Sequence, residues 1–402
     1  MAHSHRNVIL LFTARSIRLF AYGALSVVLA LYLHEAGLSS ADIGLLFTLT
    51  LAGDAGITLW ITTTADRLGR KRMLLLGAGL MVMAGVVFSL TGNIILLMIA
   101  AIIGVISPSG NEIGPFLSLE QAALSQLLSS EQRTRAFGWY NLAGSLAAAA
   151  GALAGGFLSQ AFINAGQSEL EAYRVVILGY AACGFVLMAV FFFLSPEVEA
   201  AATVPTQKRV LGLHKSKGVV LKLSALFALD AFAGGFVIQS MVAYWFHLRF
   251  GLDAGVLGSL FFGANILAGL SALLAVRIAN RIGLIRTMVY THIPSNVLLC
   301  LVPLMPTLGL AITVLLLRFS ISQMDVPTRQ SYTMAVVDPD ERAAASGVTT
   351  IARSVGAAAS PVLAGVFLAS PALVAAPFLV AGGLKIVYDL LLYRNFKKAD
   401  VR

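Results

Sequence analysis

The chain has 402 residues, of which 58% are hydrophobic and 12% charged, and its mean hydropathy is +0.87. Soluble proteins carry about 25% charged residues, so a soluble fold is excluded. The net charge of +9 would in a soluble chain point to nucleic acid, so the placement of the charges matters more than their sum.

Unbroken apolar runs of about 20 residues exclude a β-barrel, whose strands alternate over about 9 to 11. In chain order the runs fall at 8–33, 41–64, 73–91, 94–127, 135–162, 173–194, 218–247, 253–276, 287–306, 309–336, 343–370 and 372–393. The expected fold class is therefore all-α integral membrane, with twelve transmembrane helices. No small-residue cleavage site follows the first run, which reads as a retained helix rather than a signal peptide. The fourth run is too long for one straight crossing. Ser107-Pro108-Ser109-Gly110 and Gly114-Pro115 interrupt it, which predicts a kinked helix extending into the cytoplasm. Cys183 and Cys300 both lie in apolar runs, which excludes a disulfide framework.

Placing both termini in the cytoplasm puts nineteen Lys and Arg there: Arg6, four in 67–72, Arg133, Arg135, four in 208–217, three in 277–286, Arg342 and four from Arg394 onward. The opposite connections hold two, Arg174 and Arg249. This is a strong positive-inside bias, and it assigns the basic excess to anionic headgroups rather than nucleic acid.

The longest connection, about 195–217, contains Pro196, Glu197, Glu199 and Pro205 and divides the chain into an N-terminal six-helix bundle (1–194) and a C-terminal one (218–402). The halves repeat. Gly37, Leu38, Gly44 and Phe47 fall on Gly251, Leu252, Gly258 and Phe261 at a shift of 214, and His34 on His247 at 213. Asp66-Arg67-Leu68-Gly69 falls on Asn280-Arg281-Ile282-Gly283 at 214, and Glu131-Gln132-Arg133 on Asp340-Glu341-Arg342 at 209. Parallel six-helix repeats related by a pseudo-twofold along the membrane normal describe a transporter that rocks around a midplane site.

The run Asp66-Arg67-x-Gly69-Arg70-Lys71-Arg72 between the second and third helices resembles the signature loop of the major facilitator superfamily, and the resemblance covers essentially the whole chain. Gly69 permits a tight turn, the cations hold the loop at the cytoplasmic surface, and Asp66 is placed to meet a helix N-terminus or another cation. The resemblance implies that Asp66 alone helps lock the outward-facing state; Arg67, Gly69 and Arg70 are expected beside it in the conformational gate. Asn280 carries no charge, which implies a weaker lock in the second copy. Gly151-Ala152-Leu153-Ala154-Gly155-Gly156 is similar to the exporters' glycine-proline motif, with Ala152 where proline is expected. Gly144, Gly151 and Gly155 permit close helix approach whatever the direction of transport. The arginine that many proton-coupled exporters carry early in helix four is absent.

Ionisable residues inside a membrane helix are expensive and by default face the bundle interior. Twelve occur: Arg15, Arg18, Asp54, Glu112, Glu120, Asp230, Arg318, Asp325, Arg329, Arg353, Lys385 and Asp389. Eight lie on helices one, four, seven and ten, which the resemblance implies line the substrate cavity. The expected cavity residues are Arg18, Glu112, Asp230, Arg318, Gln323, Asp325 and Arg329, with an Arg18 to Glu112 pair. Glu120 and Arg329 occupy equivalent repeat positions and are expected to bridge as a gate, with a solvated Glu120 as the plain alternative. Asp54 and Asp230 have no cation nearby on their own helices and are the candidates for proton coupling. Asp325 and Arg329 are spaced i, i+4 around Pro327 to pair on one helix face. Arg15 and Arg353 are expected to snorkel, Lys385 and Asp389 to neutralise each other, and His34 and His247 to be interfacial residues without partners. Trp139, Tyr244 and Trp245 read as interfacial anchors.

The expected function is secondary active transport of a small organic solute by alternating access, as proton-coupled efflux (antiport). The alternatives are uptake or exchange of an anionic metabolite held by Arg18, Arg318 and Arg329, and a non-transporting receptor or lipid-handling protein of the same fold. The expected partners are the small-molecule substrate, protons and the lipid bilayer, with no nucleic acid, metal or cofactor and no enzyme chemistry. A monomer in a bacterial cytoplasmic (inner) membrane is expected, with both termini cytoplasmic.

Overall fold

A computed structural model describes residues 2–111, 115–199, 215–338 and 341–397. The described elements are helical: α1 (Ala2–Glu35), α2 (Ser40–Leu68), α3 (Arg70–Leu90), α4 (Ile94–Ile103), α5 (Phe116–Leu127), α6 (Ser130–Asn164), α7 (Glu169–Phe192), α8 (Lys217–Gly235), α9 (Gln239–Phe250), α10 (Ala254–Ile282), α11 (Leu284–Leu301), α12 (Leu308–Phe319), α13 (Asp325–Ala335), α14 (Arg342–Ala359), α15 (Pro361–Leu368) and α16 (Ala376–Phe396). Ten helical spans among the described residues are long and apolar enough to cross a membrane. The shorter apolar helices α4 and α12 continue into α5 and α13 to complete the fourth and tenth crossings. The fold is thus the expected twelve-crossing all-α membrane architecture. Its apolar surface fits lipid: α4 alone exposes Ile95, Leu96, Ile99, Ile102 and Ile103.

The internal repeat reappears in the backbone. Adding 214 to the bounds of α2 (40 and 68) gives those of α10 (254 and 282), and adding it to the starts of α3 and α4 (70 and 94) gives those of α11 and α12 (284 and 308). The turns obey the same shift. Gly37 and Gly251 have φ of 92° and 65°, and Gly69 and Gly283 have φ of 98° and 91°, a region that side chains with a Cβ avoid. So do the caps: Asn93 accepts from the N–H of Ile95 at 3.0 Å to start α4, and Thr307 from that of Leu310 at 3.4 Å to start α12. Ser39 opens α2 and Asp253 opens α10 in the same way. After the fourth crossing's break the shift is 209, since 116 plus 209 gives the start of α13 at 325. Between these helices the first half has twelve residues (104–115) and the second five (320–324), while α12 is two residues longer than α4, which together lower the shift from 214 to 209.

The chain forms two compact units. One comprises Met1–Thr206 with Gln239–Phe262, and the other Gln207–Ile238 with Gly263–Arg402. In the first, α1 lies against α6 with almost no side chain between them. A Cβ on Gly23 would stand 2.0 Å from the carbonyl oxygen of Ala148, one on Gly151 1.9 Å from that of Phe20, and one on Gly155 2.7 Å from that of Ala24. The small residues noted in the sequence serve this approach, where dispersion and backbone contact replace the hydrophobic effect that lipid cannot supply. In the second unit α8 meets α14 likewise: a Cβ on Gly356 would stand 2.3 Å from the carbonyl oxygen of Ala228, and one on Gly235 2.5 Å from that of Ala357. Leu223, Phe227, Ile285, Met288, Tyr332 and Tyr388 form the core that joins α8, α11, α13 and α16.

Candidate functional site

In the first unit the buried charges close on each other. Arg18, on α1, donates Nη1–H and Nη2–H to Oε1 and Oε2 of Glu120 at 2.7 Å each, and both side chains are fully buried. Tyr140, on α6, donates its hydroxyl to the same carboxylate, and the guanidinium lies 4.6 Å from the centre of the Phe116 ring. Glu120 falls in the second turn of α5, so restarting the helix at Phe116 after the break is what presents it to α1. The expected partner of Arg18, Glu112, lies outside the described residues. Glu120 is not solvated, and both its oxygens are taken by Arg18. Arg329, its expected partner, is engaged inside the second unit with Asp325 and Asp230. Arg15 does not snorkel either: it is buried, donates to Asn141 Oδ1 at 3.2 Å and covers the Tyr140 ring at 4.3 Å. Gly144 makes room for it, since a Cβ there would lie 2.6 Å from Arg15 Nε. Asp54 sits half-buried on α2 and interacts electrostatically with Tyr180 of α7.

The second unit gathers its charges around one carboxylate. Asp230, buried on α8, receives Lys385 of α16 at 2.5 Å on Oδ1, and Arg329 of α13 and Arg353 of α14 at 3.3 and 3.5 Å on Oδ2. Arg329 also donates to Asp325 at 2.7 Å, the i, i+4 pair expected from the spacing. Pro327 does not kink this helix from within. It occupies the first turn of α13, where its missing N–H costs nothing, and the bend is the break before it. Asp325, also in that first turn, meets the positive end of the helix dipole. Arg318 closes α12, covers the Phe319 ring at 4.9 Å, and interacts electrostatically with Asp325 and Asp230. Gln323 stands in the break, its backbone N–H on Ser271 Oγ at 3.3 Å.

Proximity along a helix misled at two positions. Lys385 and Asp389 do not neutralise each other: Lys385 reaches across to Asp230, while Asp389 accepts from Asn296 Nδ2 at 3.0 Å and bonds His292 Nδ1 at 2.9 Å. Arg353 reaches Asp230 instead of snorkelling. The reading of Asp230 as an acid without nearby cations holds only along its own helix, since three other helices supply them. His292, Asn296 and the Lys385 to Asp230 contact were not anticipated. The signal available was that a membrane helix holding His292 and Asn296 at i, i+4 needs a polar partner.

The signature loop is an anchored turn. Gly69 takes the positive φ, and the carboxylate that meets the N-terminus of α3 belongs to Glu199, which accepts from the backbone N–H of Arg70 at 2.5 Å and of Lys71 at 3.3 Å. Asp66 takes the other expected role and pairs with Arg70 at 3.2 Å, largely in solvent. Arg70 also donates to Gln126 at 3.1 Å, and Lys71 Nζ to the carbonyls of Phe192 and Leu194 at 2.7 and 2.8 Å. Arg67 is exposed. At the head of α8, Glu341 accepts from the N–H groups of Lys215 and Ser216 at 2.8 Å each.

Both symmetric histidines have partners: His34 Nδ1 bonds the Tyr244 hydroxyl at 3.2 Å, and His247 Nδ1 the Leu252 carbonyl at 2.9 Å. Tyr244 and Trp245 are buried rather than interfacial, because α9 packs them inward, whereas Trp139 is exposed as an anchor would be.

Twelve helical crossings in two repeats, with ion pairs buried in each, define a multi-pass membrane protein of the secondary-transporter class. The chain belongs to the Major Facilitator Superfamily, whose family model matches residues 11–361. It is 29% identical, over 99% of its own length and 95% of the relative's, to the uncharacterized membrane protein YJR124C of Saccharomyces cerevisiae. Among solved structures it resembles a bacterial homolog of the human lysosomal transporter Spinster in an inward-facing, occupied conformation (TM-score 0.78, 15% identity, 100% and 99% of the two chains covered). The nucleoside transporter NupG (TM-score 0.73, 14% identity, 97% and 99%) and the human organic anion transporter MFSD10 (TETRAN; TM-score 0.65, 18% identity, 97% and 99%) share the fold. Secondary transport of a solute is the activity this family and fold support.

Proposed function

We propose that the chain exports a small organic solute by alternating access in exchange for protons, and that solute and proton act on one group, Asp230. The observation that carries the reading is the cluster of Lys385, Arg329 and Arg353 on that single buried carboxylate, with all four groups on different helices. Neutralising Asp230, by a proton or by a solute group that takes over its cations, loosens α8 from α13, α14 and α16 at once. That is the differential contact that alternating access requires. Asp54 is proposed as a second proton carrier in the first unit. The export direction rests on the glycine pattern of 151–156. Asp66, Arg67, Gly69 and Arg70 are proposed as the gate at the loop end, with both termini in the cytoplasm, on the positive-inside bias. A monomer in a bacterial cytoplasmic membrane completes the proposal; the yeast relative extends the same chain architecture to a eukaryote.

A second reading concerns the solute's charge. Arg318, Arg329, Arg353 and Lys385 surround Asp230 and Asp325, with Asp389 one turn from Lys385, and this excess of cations over acids favours an anionic solute. Arg18, committed to Glu120 through two bonds, has no part in that reading. A growth screen of a deletion strain against a chemical panel would supply the substrate. Flux in vesicles reconstituted with the protein would then test the coupling. Flux driven by a pH gradient should be abolished in Asp230→Asn and reduced in Asp54→Asn; full gradient-driven flux in both variants would overturn the proton assignment.

A further inference from the structure

The second unit holds a further group of buried polar side chains that the contacts of Asp230 do not account for. His292 and Asn296 stand one turn apart on α11 and meet Asp389 of α16. His292 Nδ1 bonds Asp389 Oδ1 at 2.9 Å, and Asn296 Nδ2 donates to Asp389 Oδ2 at 3.0 Å. All three residues are buried. Packing alone does not ask for them. At the shift of 214 the same two positions of α3 are Ala78 and Val82, also buried, so the first half builds the equivalent helix face from apolar side chains. The close approach that brings Asp389 to α11 is made by Gly382, on the same face of α16: a Cβ there would stand 2.8 Å from the carbonyl oxygen of Asn296.

This geometry orders the proton positions. An ionised carboxylate can only accept, so against Asp389 the hydrogen of the shared bond sits on His292 Nδ1. The proton that His292 gains or loses is then the one on Nε2, and the ring keeps its hold on Asp389 in either charge state. A wider set of groups acts on that charge. Lys385 and Tyr388 face the ring from α16 along with Asp389, Asp325 acts on it from α13, which also carries Arg329, and Asp230 of α8 interacts with it electrostatically. α12, also packed on α11, brings Arg318, which is in the field of Asp325 and Asp230. Lys385 has both acids within reach: its Nζ donates to Asp230 Oδ1 at 2.5 Å, and Asp389 follows it by one turn on the same helix.

We propose that His292, held by Asp389, is the proton carrier that loads Asp230. The inference rests on the reading of Asp230 as the group that proton and solute share, and it adds where the proton comes from. The N–H bond at His292 Nε2 breaks, and an O–H bond forms on the Asp230 carboxylate. Lys385, released by the neutralised Asp230, moves to Asp389, whose charge His292 no longer balances. Two cations and two anions thus become one of each. The net charge of the four groups is unchanged, and no charge is left unpaired in the membrane interior, where that would be costly. The exchange unties α16 from α8.

The first measurement needs no solute. Full-length protein in nanodiscs, with the other five histidines replaced by Gln and His292 labelled with nitrogen-15, is titrated by NMR. The neutral ring should carry its hydrogen on Nδ1, and the ring should change charge between about pH 5 and 9. Asp230→Asn, which takes an acid out of its field, should lower its proton affinity about threefold or more. The opposite tautomer, one charge state across the whole range, or a titration indifferent to Asp230→Asn would overturn the proposal. This holds even where a variant at His292 fails to fold, since the native residue is observed. In reconstituted vesicles His292→Gln should then cut pH-gradient-driven flux about tenfold or more. Full flux in His292→Gln beside its loss in Asp230→Asn would overturn the carrier alone, whereas no gradient-driven flux in the wild type would overturn the coupling and the carrier with it.

Discussion

The two halves repeat helix for helix, yet they treat buried charge in opposite ways. In the first unit Arg18 and Glu120 meet face to face through two bonds of 2.7 Å, a pairing with one good geometry. In the second unit one carboxylate serves three cations at 2.5, 3.3 and 3.5 Å, and each cation has somewhere else to go. Arg329 already holds Asp325, Lys385 stands one turn from Asp389, and the Arg353 side chain is 35% exposed to solvent. A bidentate pair fixes one structure, whereas a shared carboxylate permits several of similar energy. The repeat therefore separates a rigid half-site from an exchangeable one, and a molecule that must switch states needs the second kind.

The sharpest way to break this contrast is at the rigid pair. Glu120→Gln leaves the fully buried Arg18 guanidinium without its carboxylate and should destabilise the protein by about 3 to 5 kcal/mol, read by denaturant unfolding in detergent. The double variant Arg18→Met with Glu120→Met removes both charges and should recover most of that loss. If the single variant unfolds no more readily than wild type, the first half-site is not the fixed one.

A smaller loss is expected from Asp230→Asn, about 1 to 3 kcal/mol, because its three cations can redistribute to Asp325, Asp389 and water. Redistribution has a signature that simple weakening lacks. Once Asp389 is also changed to Asn, Lys385 has lost both acids within reach, so the double variant should cost more than the sum of the singles by about 0.5 to 3 kcal/mol. Additive costs would mean that Lys385 does not exchange partners, and the contrast between the halves would reduce to a count of bonds.

Much of this fold could be read from the residues. The twelve apolar runs, the repeat at 214 and 209 and the turn glycines all return in the helix bounds and in the φ values of Gly37, Gly69, Gly251 and Gly283. These features are local or periodic, and hydropathy or a glycine encodes them directly. Charges on the right helices were legible for the same reason, since an ionisable residue in an apolar run stands out. Their pairing was not, because it is decided across helices. Lys385 and Asp230 are 155 positions apart, and Arg18 and Glu120 are 102 apart. Spacing of i, i+4 identified Asp325 with Arg329 correctly and Lys385 with Asp389 wrongly. A four-carbon lysine stem can turn away from its own helix toward a better acid, and the carboxylate of Asp389 had two donors waiting on α11. Glu199 escaped notice because the sequence gives no sign that the residue after the sixth crossing folds back onto α3.

Arg353→Gln should have the smallest effect on stability and the most selective effect on function. Its guanidinium lies 3.5 Å from Asp230 with the side chain 35% exposed, and Asp230 keeps Arg329 and Lys385 without it, so the expected stability change is within about 1 kcal/mol. The same exposure leaves Arg353 as the cation of the cluster most free to meet an incoming group, while Arg329 and Lys385 are held at shorter range. If the solute is anionic, this variant should raise the KM for its transport several-fold with little change in kcat, and melting should barely move. A fall in kcat at constant KM would place Arg353 in the conformational step instead. It would then belong with Asp230 among the exchangeable contacts rather than with the groups that receive the solute.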